Sequence, residues 1–175
     1  MSDHLRRGGG LNPVLFSSVR QDWGTPQAFI DSLGIDFDLD VCAKPDTAKA
    51  TRFFTEEDDA LIQDWVATNA WMNPPFGHGG KNQRLFVSKA IEEINKGHLK
   101  RITILIPART DTRLFHELII PNASSVKFIK GRLCFTQPNT PPAAAGFPSM
   151  LITFDRDVRG LVFGTMTPSR EERGW

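Results

Sequence analysis

Cysteine is scarce in this sequence, and the two present are isolated. Neither Cys42 nor Cys134 belongs to a Cys-x-x-Cys pair or lies beside a histidine cluster. That spacing excludes a disulfide framework and a thiolate metal centre, so both thiols are expected to be reduced, buried and inert, and no metal is called for. Long apolar runs are missing too. No window of eighteen or more apolar residues could span a bilayer, and a soluble protein without a membrane partner is expected. The first ten residues, Met1 to Gly10, hold no apolar h-region and no small-residue cleavage site, which points to the cytoplasm rather than to secretion. Internal repeats are absent as well.

What remains is an ordinary globular composition. With 175 residues, 40% of them hydrophobic and 23% charged, the chain can build one real core but not two comfortable ones. The expected organisation is a flexible arm over residues 1–20, a single domain over 21–164, and a polar, frayed tail over 165–175. The net charge of +1 hides an uneven distribution. From Gln21 to Val66 there are 11 acidic residues against 3 basic ones, whereas Lys96 to Arg132 carries 8 Lys and Arg against Asp111 and Glu117. An anionic polymer could lie on the second half and a cationic small molecule on the first, unless folding intermingles these charges.

Periodicity supplies the elements. Thr25 can cap a helix that has Pro26 at its first position, carries Phe29, Ile30 and Leu33, and stops at Gly34. Phe37 to Ala43 reads as a first core strand and Arg52 to Thr55 as a second. Ala60 to Ile62 with Trp65 suggests a turn or two of helix before a strand ending at Trp71-Met72. Leu85, Phe86, Ala90, Ile91 and Ile94 recur at helical spacing and end at Gly97. Arg101 to Ile106, stopped by Pro107, suits a strand covered on both faces. A helix opened by Thr110 or Asp111 carries Leu114, Phe115, Leu118 and Ile119 and closes at Pro121. Val126–Ile129 and Arg132–Phe135 read as short strands joined at Gly131, Gln137 to Pro148 as a Pro/Ala-rich loop, and Met150–Phe154 as a late strand. Strands alternating with helices predict an α/β fold: a mainly parallel sheet with helices on both faces and a late antiparallel edge or hairpin.

The most informative stretch is Asn73-Pro74-Pro75-Phe76. Each proline lacks an N–H, fixes φ near −65° and pushes the residue before it into extended geometry, so this segment leaves its strand as a stiff, outward-directed peptide. Phe76 adds a flat surface for a planar molecule. In an open sheet ligands bind outside the carboxyl ends of strands, where Asn73 would lie. An amide oxygen and a proline carbonyl held close together can accept two hydrogen bonds from one planar NH₂ group, such as the exocyclic amine of adenine. That amine is a poor nucleophile until its lone pair is turned towards an electrophile, which is a task of positioning and charge stabilisation. The suitable electrophile is the methyl of S-adenosylmethionine. Asp40, at the end of the first strand, would lie near its cationic part, and Asp58 or Asp59 near its adenine. A base inside a duplex hides its amine, so the nucleotide would be extruded and stacked on Phe76.

These residues carry a resemblance to a known family. Phe-Ser-Ser at Phe16 to Ser18, Asp22 to Gln27, Phe37 to Ala43, Phe53 to Leu61, Trp71 to Gly77, Leu105 to Thr112, Ile129 to Phe135 and Phe147 to Ser149 occur in an order that resembles the phage-type DNA N-6-adenine-methyltransferase family. The resemblance implies a Rossmann-like, S-adenosylmethionine-dependent methyltransferase that modifies adenine N6 in DNA, within a bacterial host cell. It makes Asn73, Pro74, Pro75 and Phe76 the catalytic motif. It puts Trp23, Thr25, Pro26, Asp40, Cys42, Asp58 and Asp59 in cofactor-contacting segments, and Arg109, Lys130 and Arg132 against DNA phosphates. The turn after the first strand, Cys42-Ala43-Lys44-Pro45-Asp46, lacks the glycines of general amino-methyltransferases, as phage-type relatives do. No separate target-recognition domain fits the length, so sequence reading falls to short loops, Gly77 to Lys81 and Gln137 to Pro148, in a monomer or a loop-mediated homodimer. The rival readings are methylation of an RNA adenine or a protein glutamine, and a non-catalytic DNA-binding relative.

Overall fold

A computed structural model describes residues 24–76, 80–137 and 140–175; the expected arm over 1–20 and Trp23 lie outside them. The helices are α1 (Gln27–Ser32), α2 (Lys81–Lys96) and α3 (Ile120–Asn122). The strands are β1 (Leu39–Asp40), β2 (Ala67–Met72), β3 (Leu99–Pro107), β4 (Ser125–Ile129), β5 (Cys134–Gln137), β6 (Thr140–Ala144), β7 (Ser149–Asp155) and β8 (Val162–Met166). Six strands form one sheet in the order β1-β2-β3-β7-β4-β8, and β5 pairs with β6 as a separate hairpin. β1, β2 and β3 are parallel neighbours, as are β4 and β8, while β7 is antiparallel to both β3 and β4. Five strands therefore point one way. The expected α/β, Rossmann-like architecture is present, with its late antiparallel hairpin. The one reversed strand, β7, lies inside the sheet.

Alternation along the strands sorts side chains onto two cores. Ala70, Met72, Ile102, Ile104, Ile106 and Ile152 face Val87 and Ala90 of α2 and Phe115 and Ile119 of the next helical segment. Trp71, Leu105 and Leu151 point to the opposite face, against Phe29 and Ile30 of α1. The period of two in β2 and β3 is thus what covers the sheet on both sides. At the end of β2 the effect is strongest. Trp71 is locked in one core beside Phe37, with ring centroids 5.5 Å apart, and Met72 is fully buried in the other. Burying side chains of this size stabilises the fold by roughly 1.5–3 kcal/mol each, so the point at which Asn73 leaves the sheet is fixed from both faces.

Several local expectations are corrected. Pro26, not Thr25, occupies the cap position of α1, and no side chain caps that helix. β1 is only two residues long, and Arg52–Thr55 forms no full strand: Phe53 makes one parallel bridge to Asp40. Arg52 reaches back instead to Asp38 and to the Val66 carbonyl, tying the starts of β1 and β2 together. Thr112, rather than Thr110 or Asp111, accepts the Phe115 N–H, and Leu114–Ile119 is a π-helical segment running into α3, so Pro121 sits within the helix instead of closing it. A proline that cannot donate a hydrogen bond suits such a widened turn. β4 and β5 join different sheets across Gly131. Part of the Pro/Ala-rich loop is β6, a strand that tolerates Pro141 and Pro142 because a two-stranded hairpin consists of edges.

The last residues of the tail make contacts with the domain. Cys134 N–H donates to Arg173 O at 2.7 Å, and Gly174 has φ +85°, a conformation that favours glycine. A Cβ at Gly174 would come within 2.7 Å of the Cys134 carbonyl and 3.0 Å of Pro26. The C-terminus therefore closes onto β5 and the start of α1.

One buried charge cluster braces the far side of α2. Glu93 is fully buried and accepts from Lys89 Nζ at 2.7 Å and the Trp65 N–H at 3.0 Å, with His98 Nδ1 2.7 Å away. Burial alone would raise its pKa, but these hydrogen bonds outweigh it and hold the carboxyl at about 2. Asp64, Glu93 and His98 bring ligand-type atoms within 4.8 Å of one another, yet Lys89 and the Trp65 N–H already occupy the Glu93 oxygens. Among the described residues no helix is long and apolar enough to cross a membrane.

Candidate active site

A crevice of about 300 Å³ opens outside the carboxyl ends of β1 and β2. Three neighbouring segments wall it: Val41 to Lys44 with Thr47 after β1, Phe54 to Glu56 and Asp59 to Leu61 after the Phe53 bridge, and Asn73-Pro74-Pro75-Phe76 after β2. Asn82 and Phe86 of α2 complete it. The rigid Asn-Pro-Pro-Phe corner thus faces a ligand-sized opening at the place where α/β sheets bind ligands.

Asn73 is half-buried, and its Nδ2 donates to Thr25 Oγ1 at 3.3 Å. Thr25 is 3% exposed, so this bond is shielded from water. Instead of capping α1, Thr25 sets the orientation of the Asn73 amide. Phe76 is half-buried and meets Phe147 and Phe135 edge-on, with ring centroids 5.3 and 6.2 Å apart. These three rings form an aromatic wall beside the corner. Phe135 and Phe147 escape a reading of the sequence because they come from β5 and from the segment before β7, some sixty and seventy residues downstream of Phe76.

The acidic residues separate by environment. Asp40 is 3% exposed and does not line the crevice. Its carboxylate lies behind the loop after β1 and accepts the backbone N–H groups of Cys42 at 3.2 Å and Lys49 at 2.9 Å. Burial pushes its pKa up to about 6, against the opposing pull of those two hydrogen bonds. Asp40 therefore shapes the glycine-free loop from within. Asp58 caps its own turn, accepting from Thr55 N and Oγ1, both at 2.8 Å, and stays outside the crevice. Asp59 does line it. Its backbone is left-handed, with φ 47°, an uncommon conformation for a residue other than glycine that marks a constrained position. Cys42 is half-buried and lines the crevice, contrary to the expectation of a wholly buried thiol. Burial first, and Asp40 second, push its thiol well above the usual range, so it stays protonated and is no nucleophile.

The donor set suits a sulfonium nucleoside. Phe54, Leu61 and Phe86 offer apolar walls, Asp59 and Glu56 supply acceptors for hydroxyl or amine hydrogens, and Lys44 matches a carboxylate. Pro26 is buried beside Gly174 and lines no part of the crevice. The basic residues fall elsewhere on the same side of the sheet, since the carboxyl ends of β2, β3 and β4 point one way. Arg109 follows β3 and borders a second groove, whereas Lys130 and Arg132 are exposed in the connection after β4. Of the loops expected to read sequence, residues 77–79 and 138–139 lie outside the described residues.

Among solved structures the chain is similar to a protein from Pyrococcus horikoshii described as a candidate RNA methyltransferase, with a TM-score of 0.46 and 12% identity over 74% of this chain and 81% of that one. No curated protein sequence matches. The family model for DNA N-6-adenine-methyltransferase (Dam) matches residues 14–172, nearly the whole chain. This protein belongs to the DNA N-6-adenine-methyltransferase (Dam) family of methyltransferases.

Proposed function

We propose that this protein transfers a methyl group from S-adenosylmethionine to the exocyclic N6 of an adenine in DNA, with the base drawn out of the duplex to the Asn73–Phe76 corner. The observation that carries this reading is that the corner and Asp59 line one crevice outside the carboxyl ends of β1 and β2.

A bound sulfonium donor would supply the methyl group. Asp59 and Glu56, with Lys44 across the opening, are the residues that would hold it, and Asp40 keeps the Cys42–Lys49 loop in shape beneath. Asn73, oriented by Thr25, and the adjoining Pro74 carbonyl accept the two N6 hydrogens. That draws the lone pair out of conjugation and stabilises the positive charge that grows on nitrogen as the new N–C bond forms. Forming that bond would break the donor's methyl carbon–sulfur bond and leave a neutral thioether, and the surplus proton on N6 would pass to water at the open mouth of the crevice. Phe76, which lines the crevice and is backed edge-on by Phe135 and Phe147, would offset part of the unstacking cost of the extruded base. Lys130 and Arg132, exposed in the connection after β4, would meet phosphates of the polymer.

The test is chemical. Duplex DNA incubated with the protein and radiolabelled S-adenosylmethionine, then digested to nucleosides, should carry its label in N6-methyldeoxyadenosine. Label in a cytosine derivative, or none in DNA under conditions where the donor binds, would overturn the assignment.

A further inference from the structure

A second groove opens beside the crevice, across the first turn of α2. It encloses about 330 Å³ above an apolar floor that includes Ile106 and Met150, and its rim carries Lys81, Arg84, Arg109 and Arg113. Arg84 and Arg113 are both tied to Glu117, at 2.9 and 2.7 Å, which fixes their position. Lys81 and Arg109 are exposed, and among the described residues neither side chain has an ion-pair partner. The nearest acid in sequence, Asp111, is exposed and does not line the groove.

Two further features aim donors into this space. α2, sixteen residues long, begins at Gly80 with φ +85°; no side chain caps its first N–H groups, and its first turn carries no acid. Such a terminus attracts anions. Independently, Gln83 is 8% exposed, lines the groove, and has an amide with no hydrogen-bond partner among the described residues. Its amide is not sealed off from the groove, so a ligand seated there can meet it. An amide NH₂, uncapped backbone N–H groups and two uncommitted cations all suit one ligand chemistry, a phosphate oxygen.

We infer that this groove seats a backbone phosphodiester of the DNA strand whose base occupies the crevice. The first turns of α2 form a wall common to both openings, with Asn82 and Phe86 on the crevice side and Lys81, Gln83 and Arg84 on the groove side. β2 and β3, which end at the two sites, are adjacent parallel strands roughly 4.8 Å apart. The crevice thus takes the base and the groove holds the chain from which it has been drawn. This inference rests on the reading that the crevice accepts a nucleobase.

Fluorescence anisotropy with a labelled adenine-containing duplex, over a series of salt concentrations, tests it without any methyl transfer. Neutralising Lys81 and Arg109 together (Lys81→Ala with Arg109→Ala) should lower the slope of log K against log salt by about 1–2, since each phosphate contact contributes about 0.9. The exposed Arg159, on a distant turn, serves as control, and Arg159→Ala should leave the slope unaltered. A single methylphosphonate, moved along the strand, should weaken wild-type binding at one or two linkages, and that sensitivity should vanish in the double variant. Gln83→Met, which keeps the bulk, should reduce affinity without changing the slope. An unaltered slope in the double variant, an equal loss in the control, or a methylphosphonate effect that persists in the double variant would overturn the proposal. Retained adenine methylation alongside any of these results would refute the groove alone, whereas the expected binding pattern without adenine methylation would refute the catalytic reading alone.

Discussion

Replacing Thr25 by valine probes the least obvious feature of the site. The substitution keeps the shape of a buried side chain and deletes only the hydroxyl that accepts from Asn73 Nδ2 at 3.3 Å. A net hydrogen bond of this kind contributes about 1 kcal/mol, and its length puts it at the weaker end of the range. If that energy serves to hold the Asn73 amide where N6 needs it, the loss falls on the transition state and kcat should drop about fivefold with little change in KM for DNA. Thr25→Ser should recover most of the rate, because it restores the acceptor. Steady-state transfer of labelled methyl groups into duplex DNA gives both constants, and thermal unfolding of each variant shows whether the fold has suffered. Wild-type kcat in Thr25→Val, or a loss of rate that tracks instability in the serine variant as well, would show that Thr25 does not position Asn73.

Other outcomes follow from the same structure. Phe76→Ala should weaken DNA binding by about 1–3 kcal/mol if a base stacks against the aromatic wall; anisotropy showing undiminished affinity would remove that role. Asp40 has a folded pKa of about 6 against an ordinary 3.8, so the native state binds more protons than the unfolded chain between these values. Its contribution is therefore to make the protein less stable as pH rises from about 4 to about 6, by about 3 kcal/mol in all, with no further change above. Asp40→Asn should abolish that part of the pH dependence of denaturant unfolding, and parallel pH profiles for the two proteins would contradict it. Glu93→Ala leaves Lys89 without the buried carboxylate it bonds and should cost about 3–5 kcal/mol; a loss below 1 kcal/mol in denaturant melts would show that the cluster is not a brace.

The corner at Asn73 is legible in the chain because it depends on local chemistry: two prolines after a buried strand end have few conformations open to them. The same holds for α2, whose apolar spacing and Gly97 stop are local signals, and for the doubly buried β3. What the sequence conceals is set by partners far away along the chain. Thr25 looks like a helix cap but bonds a residue 48 positions later. Asp40 looks like a ligand contact, yet its carboxylate is taken by the backbone of its own loop. Arg52–Thr55 has strand-like residues but only one bridge to use them, and the prolines of β6 hide a strand that no central position in a sheet would accept. Gln83, half a turn from the crevice, appears polar and unremarkable on α2 until the groove beside β3 gives it a setting.

The proposed methyl transfer depends most on the Asn73 amide, one of the two acceptors at this corner. Single-turnover methyl transfer, with donor and DNA both saturating, measures it directly in Asn73→Ala. Loss of an acceptor aimed at developing charge should slow the step by on the order of a hundredfold or more while the protein still unfolds near the wild-type temperature. A variant that methylates adenine at the wild-type rate would contradict the account.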